Sequence, residues 1–230
     1  LYNKITTLKL DLVKCGFYVH HDGIITEACT INEFEGVFNP LDNIQIFSDG
    51  LIWNDIFCKE IIDKHNIKFL TDINYEDTYF IYEYYFNSSK MLFLCDFRGY
   101  HYIIPSVSED NKSMSRGSNL NKVLKTLNGL FKIYKYLDSQ NNPLIVEYFF
   151  NNKIPSIFPL IFKLKEKREK LIILEELYKF ELIVFKKYDF KIIFNNRFEN
   201  LYNKLLLSKK FSLNILMGNI LVKLYKLDWL

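Results

Sequence analysis

Cations and hydroxyls able to hold phosphate are the residues whose types and spacing here allow chemistry. Lys112 and Arg116, set among Ser113, Ser115, Gly117 and Ser118, put charge, hydroxyls and backbone N–H groups just ahead of a helix start, where an anion is favoured. Lys122, Lys125, Lys132 and Lys135 follow at helical spacing as a stripe. Lys163, Lys165, Lys167, Arg168 and Lys170 form a second cluster, with Lys186, Lys187, Lys209 and Lys210 beyond it. Lysine supplies charge without base specificity, so these fifteen candidates fit contact with an RNA backbone. The same pattern also fits a helix-capping loop and solvated helix faces, and Glu166 and Glu169 sit inside the second cluster.

Other chemistries find less support. Cys15, His20, His21 and Cys29 lie close together but lack the paired ligand spacing that fixes a zinc ion. Cys95 and His101 fall on neighbouring predicted strands, yet a core thiol beside a strand histidine explains them better. No G-x-x-x-x-G-K run marks a nucleotide loop, and the aromatic strands lack the pattern of an RNA-stacking sheet. The reading assigns no catalytic residue, no metal and no cofactor. All four cysteines are expected to be reduced and buried, since a 230-residue chain with this much apolar content needs no staples.

The elements that position these groups follow from periodicity. Residues 5–13 alternate as a half-buried strand, and 17–20 and 24–29 flank Asp22-Gly23 as a hairpin. Residues 33–43 read as loop, 44–47 as a short strand and 51–65 as a helix. Residues 78–104 are so dense in Tyr, Phe and Ile that they predict two or three consecutive strands. After the polar loop 106–118, Ser118 or Asn119 caps a helix over 119–137, whose apolar residues Leu120, Val123, Leu124, Leu127, Leu130, Phe131, Tyr134 and Leu137 share one face. Residues 144–150 read as a strand, 163–179 as a helix, and 182–185 with 190–194 as a hairpin. Helices are expected over 197–207 and 211–227, the last apolar nearly all round and suited to docking into a neighbour. The fold class is α+β: a mainly antiparallel, aromatic-rich sheet with packed helices over 1–150, then a basic, helix-rich region over 151–230, with 151–159 as the boundary.

Charge divides the same way. Residues 1–150 carry 14 basic and 19 acidic side chains, and residues 151–230 carry 16 and 8. A basic second part suggests one face turned to polyanion. No uncharged run is long enough to span a bilayer. The chain opens on Leu1, which fits a processing cut or a non-standard start codon.

Composition carries one resemblance. There is a single alanine, Ala28, and only 4 arginines among 30 basic residues, whereas Phe numbers 21 and Tyr 16. This favours AT-rich codons throughout and resembles proteins encoded by the mitochondrial genomes of protists, ciliates above all. Such genomes retain mainly ribosomal proteins and respiratory subunits. The resemblance therefore implies a non-enzymatic structural subunit of a mitochondrial ribosome in the matrix, contacting rRNA and other subunits of a large assembly. A matrix-side subunit of a respiratory complex or ATP synthase, and a soluble protein of an AT-rich virus or parasite, are the alternatives.

Overall fold

A computed structural model describes residues 1–29, 36–48, 50–104, 119–188 and 197–225, with side chains over 201–218 in the last stretch. The chain forms two compact units, Leu1–Thr71 with Glu76–Arg116, and Asp72–Tyr75 with Gly117–Leu230.

The first unit is built on β1 (Leu12–His21). Helix α1 (Tyr2–Leu8) precedes it and ends at Lys9 in the left-handed region, so the alternation of Leu8, Leu10 and Leu12 belongs partly to a helix rather than to the strand expected over 5–13. Strand β2 (Ile24–Ala28) returns antiparallel through Asp22 and Gly23, both at positive φ, the hairpin turn their types predict. Strands β3 (Gly36–Phe38), β4 (Asp55–Phe57) and β5 (Met91–Ile104) complete a sheet ordered β2-β1-β5-β3, with β4 on the base of β1. The central pairing of β1 with β5 is parallel while the other three pairings are antiparallel, so the sheet is mixed rather than purely antiparallel. Its base closes on Ile5, Leu10, Val13 and Leu92.

Three further expectations in this unit need correction. The helix predicted over 51–65 is β4 followed by a shorter helix, α2 (Lys59–His65). The strand over 44–47 is a 3-10 turn. The aromatic run 78–86 lies in helix α3 (Glu76–Phe86) rather than in strands. Its Phe80, Ile81, Tyr82, Tyr84 and Tyr85 are all buried, so the run has neither a helical stripe nor a strand alternation. Tertiary packing decides such a segment over propensity. Tyr82 donates to Phe47 O and Tyr84 to Asp11 O, which fixes this helix by its phenol groups.

The second unit is helical. Helix α4 (Leu120–Ser139) starts where its cap predicts: the Asn119 side chain accepts from Lys122 N at 2.9 Å. The strand expected over 144–150 is instead α5 (Pro143–Lys153). The Asn142 side chain caps it and Pro143 opens its first turn, the arrangement both residues favour. A 3-10 turn over 154–156 leads to α6 (Ile157–Lys163), so residues 151–159 are largely helical and lie inside this unit. Helix α7 (Lys167–Lys187) absorbs residues 182–185, which removes the hairpin expected there; 190–194 lie outside the described residues. Helix α8 (Arg197–Leu207) matches its predicted span, and α9 (Phe211–Tyr225) packs against α6, α7 and α8. Among the described residues no helix is long and apolar enough to cross a membrane.

Residues 72–75 reach α4 at Gly129, where an added Cβ would lie 2.0 Å from Asn74 O. The Asn74 side-chain amide also donates to Lys122 O and Thr126 Oγ1. Alanine at position 129 would gain about 1 kcal/mol in helix propensity, yet must push this segment away. Gly129→Ala is therefore expected to destabilise the protein by roughly 1–3 kcal/mol, read as a lower Tm by far-UV circular dichroism.

Candidate functional site

In the sheet unit the chemistry-bearing side chains gather towards the carboxyl ends of the parallel pair β1 and β5. Ligands of open sheets with parallel strands bind at such ends. The base of β1 is anchored by a buried ion pair: Lys14, 2% exposed, places Nζ 2.8 Å from Asp55 Oδ1 on the facing strand. The ammonium also donates to Leu51 O at 2.8 Å and Asn54 Oδ1 at 3.3 Å. These contacts hold residues 51–55, and with them Trp53, against the sheet.

Above this anchor the register breaks. Cys15 pairs with Leu94 but Gly16 with Arg98 and Phe17 with Tyr100, so β5 bulges out at residues 95–97 and again at Gly99. Beyond the bulge the two faces differ. On one, Phe17, Tyr100 and Tyr102 meet the Trp53 indole: Tyr102 stacks on it at 5.3 Å and 10°, Tyr100 lies at 4.6 Å, and Phe17 meets it edge-on. Tyr100 and Tyr102 remain 37% and 43% exposed, so the platform is open to solvent. On the other face His20 Nε2 and His101 Nδ1 stand 2.7 Å apart, one donating and the other accepting. The Tyr18 ring packs on His101, and Arg98 is paired with Glu27 at 2.8 Å.

Cys29 and Cys95 form a disulfide, which corrects the expectation that all four thiols are reduced. Cys95 is therefore unavailable to His101 as a nucleophile. Cys15 and Cys58 remain free, and burial pushes the Cys15 thiol upward. Among the described residues no group of three or more His, Cys, Asp or Glu side chains is placed to hold a metal ion.

The fifteen basic candidates lie elsewhere. Lys112 and Arg116, with the 106–118 loop, are outside the described residues. Lys122, Lys125, Lys132 and Lys135 are on α4, where Lys125 faces Asp72 at 3.8 Å and Lys135 sits over the Phe131 ring. Lys122 and Lys163 come near one another; burial, with the Lys163 charge adding to it, pulls the Lys122 ammonium below the usual lysine range. Lys163, Lys165, Lys167 and Arg168 are exposed, whereas Lys170 is buried and donates to Phe162 O at 2.9 Å. Lys186 is exposed, Lys187 pairs with Asp138 at 2.7 Å, and Lys209 lies over the Tyr178 ring beside exposed Lys210. The reading from sequence missed the Trp53–Tyr100–Tyr102 platform. Alternation of Tyr100 and Tyr102 marks one face of a strand, but nothing local brings Trp53 to it.

No family model matches the chain, and no curated protein matches it. Among solved structures it is similar to S. aureus TarS 1–349 in complex with UDP-GlcNAc, with a TM-score of 0.65 and 12% identity over 96% of this chain. The match covers 62% of the TarS chain, so the sequence spans under two thirds of that structure. The likeness defines a fold that in TarS accompanies a bound nucleotide sugar. It overturns the expectation of a non-enzymatic ribosomal subunit.

Proposed function

We propose that this chain is a nucleotide-sugar-binding domain of an enzyme that transfers glycosyl groups. The observation that carries this reading is the likeness, over 96% of the chain, to a structure that holds UDP-GlcNAc in S. aureus TarS. Nucleotide sugars are activated at the anomeric carbon by a nucleoside diphosphate leaving group, and transfer to an acceptor hydroxyl is the reaction that activation serves. Supporting it, the Trp53, Tyr102 and Tyr100 rings form a stacked aromatic cluster at the carboxyl end of the parallel strands, with both tyrosines partly exposed to solvent. A pyrimidine base is the part of a nucleotide sugar that such a cluster accepts.

The test is titration of UDP-GlcNAc and UDP into the full chain carrying Trp229→Phe, so that Trp53 alone reports. Quenching of its emission by both ligands is expected. Stacking contributes roughly 1–3 kcal/mol per base, so Trp53→Ala, followed by calorimetry, should weaken UDP about 5- to 150-fold. A folded protein that binds neither ligand at millimolar concentration would sink the reading.

A further inference from the structure

The one covalent link in the sheet unit crosses its central strand. Cys29 directly follows β2 and Cys95 lies in the bulge of β5, the two strands that flank β1 on opposite sides. The bridge passes over β1 at Gly16, which pairs with Arg98. A Cβ on Gly16 would lie 2.7 Å from Cys95 O and 3.1 Å from Ala28 O, so the crossing needs a residue without a side chain. Glu27 and Arg98 make a second link across the same strand, at 2.8 Å.

One of the strands this clasp holds, β2, is otherwise weakly secured. Ile24 to Glu27 of β2 are all exposed, so neither face of that strand is covered by a core. Hairpins of this kind have little stability of their own. The exposed stretch of β5 from Tyr100 to Ile103 depends on the same three-stranded end. Both cysteines are half-exposed and within reach of a soluble reductant.

We propose that the Cys29–Cys95 disulfide is a redox clasp that orders the outer end of the sheet, residues 17–28 and 98–104, while leaving its base intact. Opening it takes two electrons from a dithiol: one thiolate attacks a bridge sulfur, the second resolves the mixed disulfide, and the dithiol leaves oxidised. Two thiols then stand at Cys29 and Cys95, and the Glu27–Arg98 ion pair still crosses Gly16.

Hydrogen exchange on the full chain, before and after treatment with dithiothreitol, tests the clasp. Alkylation and mass analysis should count two free thiols before reduction and four after it. Amides of residues 17–28 and 98–104 are expected to exchange at least tenfold faster after reduction, with residues 12–14 and 91–94 unchanged. Cys29→Ser/Cys95→Ser should reproduce the reduced pattern without reductant, and Gly16→Ala should leave four thiols open to alkylation. Four thiols in the untreated protein, unchanged exchange on reduction, or faster exchange throughout the chain would each overturn the proposal. UDP titration of both redox states is read separately. Absence of binding in both would count against the nucleotide-sugar reading and leave the exchange result standing.

Discussion

Asp55→Ala is expected to destabilise the sheet unit by about 3–5 kcal/mol, because it removes a buried carboxylate that lies against the buried Lys14 ammonium. The two residues face each other across β1 and β4, 2.8 Å apart. Leu51 O and Asn54 Oδ1 stay in place as acceptors, but neither carries the negative charge that offsets desolvation of the ammonium. Urea unfolding followed by Trp53 emission in the Trp229→Phe background checks this, since Trp53 is two residues from Asp55. The paired replacement Lys14→Met/Asp55→Leu separates the pair's net worth from the penalty of breaking it. Buried pairs replaced by apolar residues of similar volume are often neutral or stabilising, so the double variant should recover most of the loss. A single variant within about 0.5 kcal/mol of the parent, the range of an ordinary surface change, would mean that the ammonium escapes to water.

The second large effect lies in the helical unit and depends on pH. Glu181 on α7 is fully buried, and burial raises its carboxyl well above the usual carboxylate range. One end of the Asn203 amide lies 2.8 and 3.0 Å from the two carboxyl oxygens. Through its oxygen that amide accepts from the neutral acid; through its nitrogen it donates to the carboxylate. Because the folded pKa is raised above the unfolded value, the stabilising contribution is fully present below the unfolded pKa near 4.3 and is lost as pH rises through the folded value. Stability should therefore fall with pH by up to about 1.4 kcal/mol per unit across that window. Glu181→Gln keeps the shape and removes the titration. Its urea midpoint should be less dependent on pH than the parent's and higher at neutral pH. Parallel pH profiles for the two proteins would show that Glu181 does not drive the dependence.

Local signals in the sequence carried through wherever one residue type sufficed. Asp22-Gly23 made its hairpin and Asn119 capped α4. Asn142-Pro143 carried an equally good helix start, but the β-rich run after it pointed the other way. The same conflict hid α3, whose buried tyrosines have no period to read. With Phe and Tyr abundant throughout, aromatic density distinguishes core from strand poorly. The candidate site was less legible still. It joins residues 17–20, 53 and 98–102, which are brought together only by the parallel pairing and the buried Lys14–Asp55 contact. The disulfide joins positions 66 residues apart, and no spacing rule singles out that pair. The lysines were conspicuous because they are numerous, and several proved to be bound within the fold.

The two edges of β1 also set very different entropic demands on the chain. One edge meets β2 through a two-residue turn, so bringing those strands together closes almost no loop. The other edge meets β5, whose first residue, Met91, lies 79 positions beyond its partner Leu12. Closure entropy grows only as the logarithm of loop length, but it must be met before any parallel hydrogen bond forms. The ordering cost of the first unit thus falls on long-range pairings, that of β1 with β5 the longest among the described strand pairs, while α4 and α5 meet through the short turn between Ser139 and Pro143.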